Sequence, residues 1–213
     1  WSGSLPEMPL NEEMVKKASQ KNDKAIIVLG RNSSENHDMY VTDGGFLLSK
    51  IEEKMINTVC RYFNSVILVL NIACGIDLGF LDTNRIDGII YLNHVGVWGT
   101  DALCNIITGR VNPSGKLTFS LAKHYEDYSS SAHFGQHGGG VIQDYYEDIF
   151  VGYRWFDTFG KQVVFPFGYG LSYTKFKYDN LSIDKIVGMD NPYNYRNKIR
   201  SSYATLFCRK RCY

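Results

Sequence analysis

The sequence predicts an α/β protein, a mainly parallel sheet sandwiched by helices, on three observations. The runs Ala25–Leu29, Val66–Leu70 and Gly88–Leu92 have the length and continuity of strands buried on both faces. Ser49–Phe63 and Thr100–Thr108 carry apolar side chains at helical spacing. Strands that alternate with helices in this way build a mainly parallel sheet covered by helices, and ligands bind beyond the carboxyl ends of its strands. The loop that follows the first strand is therefore the first place to look for chemistry.

Taken in order, Glu12–Gln20 reads as a short helix that leads into the first strand. Ser49 is set to cap the next helix with Glu52 three residues on, and Ile51, Met55, Ile56, Val59 and Phe63 form its apolar stripe. In the following helix Ala102, Leu103, Ile106 and Ile107 share a face. Asn112-Pro113-Ser114-Gly115 is a turn, because Pro fixes φ and Gly tolerates positive φ, and it feeds an extended segment Lys116–Ser120. Ser129–Gln143, rich in Ser, His and Gly, reads as a long surface loop, a lid or a domain contact. Thr174–Tyr178 alternates polar and apolar as a strand does. The expected division is a sandwich domain at 1–170, the start of a further β domain at 171–187 and an irregular basic tail at 188–213.

Composition excludes several classes. Of 213 residues, 44% are hydrophobic and 21% charged, ordinary values for a globular domain rather than a disordered or fibrous one. The net charge of +1 conceals a contrast, since from Lys185 onward seven Lys and Arg face the single acidic residue Asp190. No apolar run approaches the roughly 20 residues of a membrane span. Position 1 is Trp and no segment resembles a secretory signal, so the natural amino terminus is expected upstream and the weak preference is cytoplasmic. Five cysteines, an odd number without CxxC spacing, point to reduced thiols rather than a disulfide framework or a zinc site.

Other groupings carry competing readings. His124, His133 and His137 are loosely spaced, but a structural zinc needs four convergent ligands, so no metal is expected. Gly138-Gly139-Gly140 neither follows a strand nor precedes Lys-Ser/Thr, and no Gly-rich fingerprint follows Leu29, so neither a P-loop nor a dinucleotide site is expected. Tyr interleaved with Arg in the tail is compatible with RNA contacts, yet a solvated end fits the same composition and no nucleic-acid partner is expected. Asn32-Ser33-Ser34 and Asn180-Leu181-Ser182 match the glycosylation pattern, which matters only in a secretory compartment. Trp98, Phe134 and Trp155 serve either as packing elements or as platforms for a sugar ring.

Five segments in order resemble the second domain of glycoside hydrolase family 3, the β-glucosidases and β-xylosidases. They are Ala25–Arg31 with Ser33-Ser34-Glu35, Val66–Ile72, Gly109–Leu117, Tyr146–Arg154 and Phe165–Thr174, within a likeness that covers about residues 5–184. The resemblance implies an α/β sandwich followed by a fibronectin-III-like domain, and a retaining hydrolysis of terminal β-D-glucosyl or xylosyl residues. In that scheme a barrel domain, not contained in this chain, supplies an Asp nucleophile, the sandwich supplies a Glu acid/base, and no cofactor takes part. Glu35 falls on the acid/base position, with Ser34 and Asn36 where the family commonly has Gly before and Gly or Asp after. A carboxylic acid suits the task because the glycosidic oxygen must be protonated in one step and a water deprotonated in the next. Arg31 and Asp38 also match motif positions and either orient the loop or touch substrate. Glu147 and Arg154 are expected as a scaffold ion pair. The partners implied are a β-glucoside or oligosaccharide and the barrel domain. The alternative is a noncatalytic carbohydrate-binding or interaction module derived from the same domain.

Overall fold

The structure is a computed structural model that describes residues 7–31, 39–134 and 144–175, and the backbone of 205–208. Helix α1 (Glu12–Ser19) begins at Asn11, whose side chain accepts the backbone N–H groups of Glu13 and Met14. Such an N-cap satisfies donors that have no partner within the helix. Strand β1 (Lys24–Gly30) follows, then α2 (Lys50–Tyr62), β2 (Ser65–Asn71), β3 (Gly88–Tyr91) and α3 (Gly99–Ile107). The strand-helix order read from the sequence is thus the observed one, with boundaries shifted by a residue or so.

The sheet runs β1-β2-β3-β4, where β4 is Thr205–Cys208. β1, β2 and β3 are parallel, with Ala25 opposite Val66 and Leu68 opposite Ile89. β4 joins β3 antiparallel. A strand in the tail is a departure from the expectation of an irregular end. Thr205–Cys208 is too short for its side-chain pattern to announce a strand, and pairing with the edge of β3 supplies the backbone partners that local sequence does not.

One face of the sheet carries Ile27, Leu29, Val66, Leu68, Leu70, Ile89 and Tyr91, all in the core cluster together with Val15 of α1 and Met55, Ile56 and Val59 of α2. This helix stripe is the predicted one at its centre; Ile51 is half-buried instead, and Phe63 becomes the C-cap. On the opposite face Val69 and Ile90 are buried, and Ile106 of α3 is buried as well. Full burial of β1 on both faces is not observed, since Ile26 and Val28 are each 51% exposed. β1 is an edge strand, and that side of it stands half open to solvent.

Neither the turn expected at Asn112–Gly115 nor the extended segment expected at Lys116–Ser120 is observed as such: the turn lies at Thr108–Gly109, the chain bends at Thr118–Phe119, and the stretch pairs with the distant run at 165–169 rather than entering the main sheet. Leu117 donates to Tyr169 O and accepts from Gly168 N, and Leu121 donates to Phe165 O. Asn112 Oδ1 in turn accepts from Ser172 Oγ and Tyr173 N. Two distant motifs, Asn-Pro-Ser-Gly and the aromatic run at 165–173, are thereby closed on one another. Helix α4 (Tyr153–Thr158) leads into that run. Glu147 and Arg154 do not form the expected ion pair; Asp148 (φ 50°) and Gly152 (φ 57°) turn the chain between them. Residues 176–187, with most of the expected start of a fibronectin-like domain, lie outside the described residues.

Candidate functional site

The carboxyl ends of the parallel strands are joined through Arg31, the residue after β1. Its backbone N–H continues the ladder to Asn71 O at 3.3 Å, and its side chain folds back beneath the strand end. Nε donates to Gly45 O at 2.6 Å. Nη1 donates to Gly30 O at 2.8 Å and to Glu52 Oε1 at 2.6 Å. Nη2 donates to Glu52 Oε2 at 3.0 Å and to Leu47 O at 3.4 Å. A guanidinium has five N–H donors, and here each has an acceptor. The side chains of Arg31 and Glu52 are 4% and 8% exposed.

Glu52 serves two structures at once. It closes the capping box of α2, where Ser49 Oγ accepts the Glu52 N–H at 3.2 Å and Glu52 Oε2 accepts the Ser49 N–H at 2.8 Å. The same carboxylate takes the bidentate grip of Arg31, a strong and planar pairing. Gly45 completes the arrangement: a Cβ there would come within 2.5 Å of Tyr40 O, so only glycine lets this turn present its carbonyl to Arg31.

The other strand ends contribute Cys74, Tyr91 and His94. Tyr91 Oη donates to Cys74 O at 3.2 Å, and burial raises the Tyr91 phenol well above its ordinary range. Burial also raises the Cys74 thiol, which donates to Met39 Sδ at 3.5 Å. Beyond β3, Asn93 adopts φ 63° and its Oδ1 accepts the His94 N–H at 2.8 Å. His94 Nε2 then lies 2.9 Å from Arg31 O.

Glu35 and Asp38, the predicted acid/base and one predicted substrate contact, lie outside the described residues. Arg31 is described, and each of its side-chain N–H groups is taken by a protein acceptor. Gly45 and His94 were not singled out by sequence reasoning, and Glu52 was read only as a cap. The available signal was the position of His94, a polar residue just past the end of a parallel strand.

The remaining sequence features are structural or separate from this cluster. Trp155 Nε1 donates to Asp127 O at 3.1 Å, and Lys161 Nζ lies 5.6 Å from its ring centroid. Trp98 caps α3 backbone-only and is 78% exposed; Phe134 is 48% exposed. His124 Nδ1 pairs with Asp77 Oδ2 at 2.9 Å, and His133 stacks on Tyr146 at 4.2 Å, so each has a local partner; His137 lies outside the described residues. A groove of about 510 Å³ is lined by Asp43, Glu53, Asn57, Phe80 and His124, and neither Arg31 nor His94 reaches it. Among the described residues, no helix is long and apolar enough to cross a membrane.

Comparison with known proteins defines the class. The glycosyl hydrolase family 3 C-terminal domain matches residues 9–173, and the chain belongs to that family. The beta-glucosidase of Ruminococcus albus is 40% identical over 181 residues, which is 83% of this chain and 19% of the relative. Beta-glucosidase 3B of Thermotoga neapolitana, solved in complex with glucose, superposes with a TM-score of 0.76 at 37% identity over 85% of this chain and 26% of that one. A beta-glucosidase from Paenibacillus barengoltzii gives a TM-score of 0.72 at 39% identity, covering 80% and 19% respectively. The chain therefore spans only about a fifth to a quarter of the relatives it matches.

Proposed function

We propose that the chain supplies the general acid/base, Glu35, for retaining hydrolysis of terminal β-D-glucosyl or xylosyl residues, at a site whose nucleophile comes from a barrel domain of the enzyme. The observation that carries this reading is the anchoring of Arg31. The residue four positions before Glu35 is pinned at the carboxyl end of the first parallel strand by all of its donors. A loop that leaves such a fixed point starts where α/β sheets present their ligands. Membership of the family and the beta-glucosidase names of its relatives support the same reaction class.

In this reaction Glu35 donates its proton to the glycosidic oxygen as the bond breaks, and the resulting carboxylate then removes a proton from the water that releases the sugar. A retaining pair stands about 5 to 5.5 Å apart, so the chain by itself holds half of the machinery. Arg31 acts as a positioning residue, and Asp38 is a further contact for the sugar.

The test mixes the chain with a family 3 barrel domain and follows hydrolysis of an aryl β-glucoside. Turnover is expected from the mixture and from neither part alone, and Glu35→Gln is expected to abolish it. Turnover that survives Glu35→Gln removes this residue from the mechanism; sugar binding without turnover identifies a noncatalytic module instead.

A further inference from the structure

We infer that His94 is a positioning residue, which latches the end of β3 to the end of β1 by donating from Nε2 to the backbone carbonyl of Arg31. The inference rests on the reading of Glu35 only for its catalytic consequence; the latch itself stands on described atoms. A carbonyl oxygen only accepts, so the 2.9 Å contact requires the hydrogen on Nε2.

The turn that aims the ring is itself a specialised piece of backbone. Asn93 sits at φ 63°, a conformation that costs free energy for most residues and that Asn tolerates best after Gly. Its side chain offsets that cost by accepting the N–H of His94, which fixes the next residue in the turn. The ladder runs on through Leu92, whose N–H donates to Leu70 O, so the left-handed residue lies between the end of the ladder and the ring that meets Arg31 O.

Arg31 is then held from three directions. Its side chain is gripped by Glu52 from α2 and by the Gly45–Leu47 turn, its N–H by Asn71 of β2, and its carbonyl by His94. The first two grips fix the side chain and the strand side of the residue. Among the described residues, only the third holds the carbonyl side, the peptide that leads on toward Asn32 and Glu35. Loss of His94 is therefore expected to free the chain just after Arg31 while leaving the buried ion pair in place.

The test compares parent, His94→Ala and His94→Gln by amide hydrogen exchange in the full chain. The amide side chain of Gln offers an N–H at a reach close to that of Nε2. His94→Ala is expected to speed exchange in peptides covering residues 31–39 by roughly five- to tenfold, the opening cost of about one hydrogen bond, with β2 and α2 unchanged. His94→Gln is expected to restore the parent rate. Unchanged exchange in a folded His94→Ala protein, or no recovery in His94→Gln, overturns the latch. If His94→Ala does not fold, nitrogen NMR of the parent decides, because a ring that carries its hydrogen on Nδ1 alone is incompatible with it. In the barrel-complemented assay, kcat is expected to fall with KM held and to recover in His94→Gln. Absence of turnover in the parent mixture counts against the reading of Glu35, and the exchange result still decides His94.

Discussion

The two ends of α2 carry ion pairs of the same chemistry in opposite surroundings. At the amino end Arg31 and Glu52 are almost wholly buried, and every donor of the guanidinium is used. At the carboxyl end Arg61 reaches Glu12 of α1 at 3.0 Å with 62% and 49% of the side chains exposed, and Tyr62 Oη donates to the same carboxylate at 2.9 Å. The first pair orders a strand end where ligands are expected. The second merely ties two helices together. Desolvation makes the difference: a buried charge without its partner has no water to fall back on, whereas an exposed one rehydrates.

This contrast is broken first at its strong end. Glu52→Ala leaves Arg31 buried and unpaired and is expected to cost about 3–5 kcal/mol, read as a lowered urea midpoint at constant m-value. Less dramatic is Ser49→Ala, which removes the cap but keeps the ion pair; its expected cost is about 0.5–2 kcal/mol in the same titration. At the weak end, Arg61→Ala should cost roughly 0.2–1 kcal/mol, and the loss should shrink further in high salt. A double-mutant cycle run on both pairs then sharpens the comparison, with a large coupling expected for Arg31/Glu52 and one near zero for Arg61/Glu12. An equal coupling in the two cycles would remove the distinction.

The smallest effect concerns cysteine chemistry. Cys60, near the carboxyl end of α2, is pushed by burial up to about 11 and so holds little thiolate at neutral pH, while Cys104 on α3 is exposed. Alkylation at pH 8 should label Cys104 well before Cys60. Because the folded-state value of Cys60 lies above its ordinary 9.0, its contribution to stability is complete below that pH and declines toward pH 11 as the unfolded thiol ionises first. Urea titrations at pH 8 and pH 10 check the sign.

Much of the scaffold was legible because its signals are local. The box of Ser49 and Glu52 spans three residues, the apolar stripe of α2 repeats within one helix, and each buried strand is one continuous run. The site was legible only in outline. The loop after β1 and its Arg31 could be located, but the reach of Arg31 to Glu52 across 21 positions, and that of His94 to Arg31 across 63, leaves no trace in any window of the chain. The expected pairing of Glu147 with Arg154 failed for the converse reason: closeness in sequence does not survive two left-handed turns.

What the sequence determined by itself was the kind and order of the elements from α1 to α3 and the family, and it marked Glu35 as the carboxylate to test. Tertiary structure alone decided that Ile26 and Val28 stand half in solvent while Ile27 and Leu29 are buried, that Thr205–Cys208 extends the sheet, and that Arg31 has all its donors committed to the fold. Periodicity and capping act between near neighbours and can be read along the chain. Burial and the pairing of charges depend on which distant segments meet, and only the assembled sheet settles that.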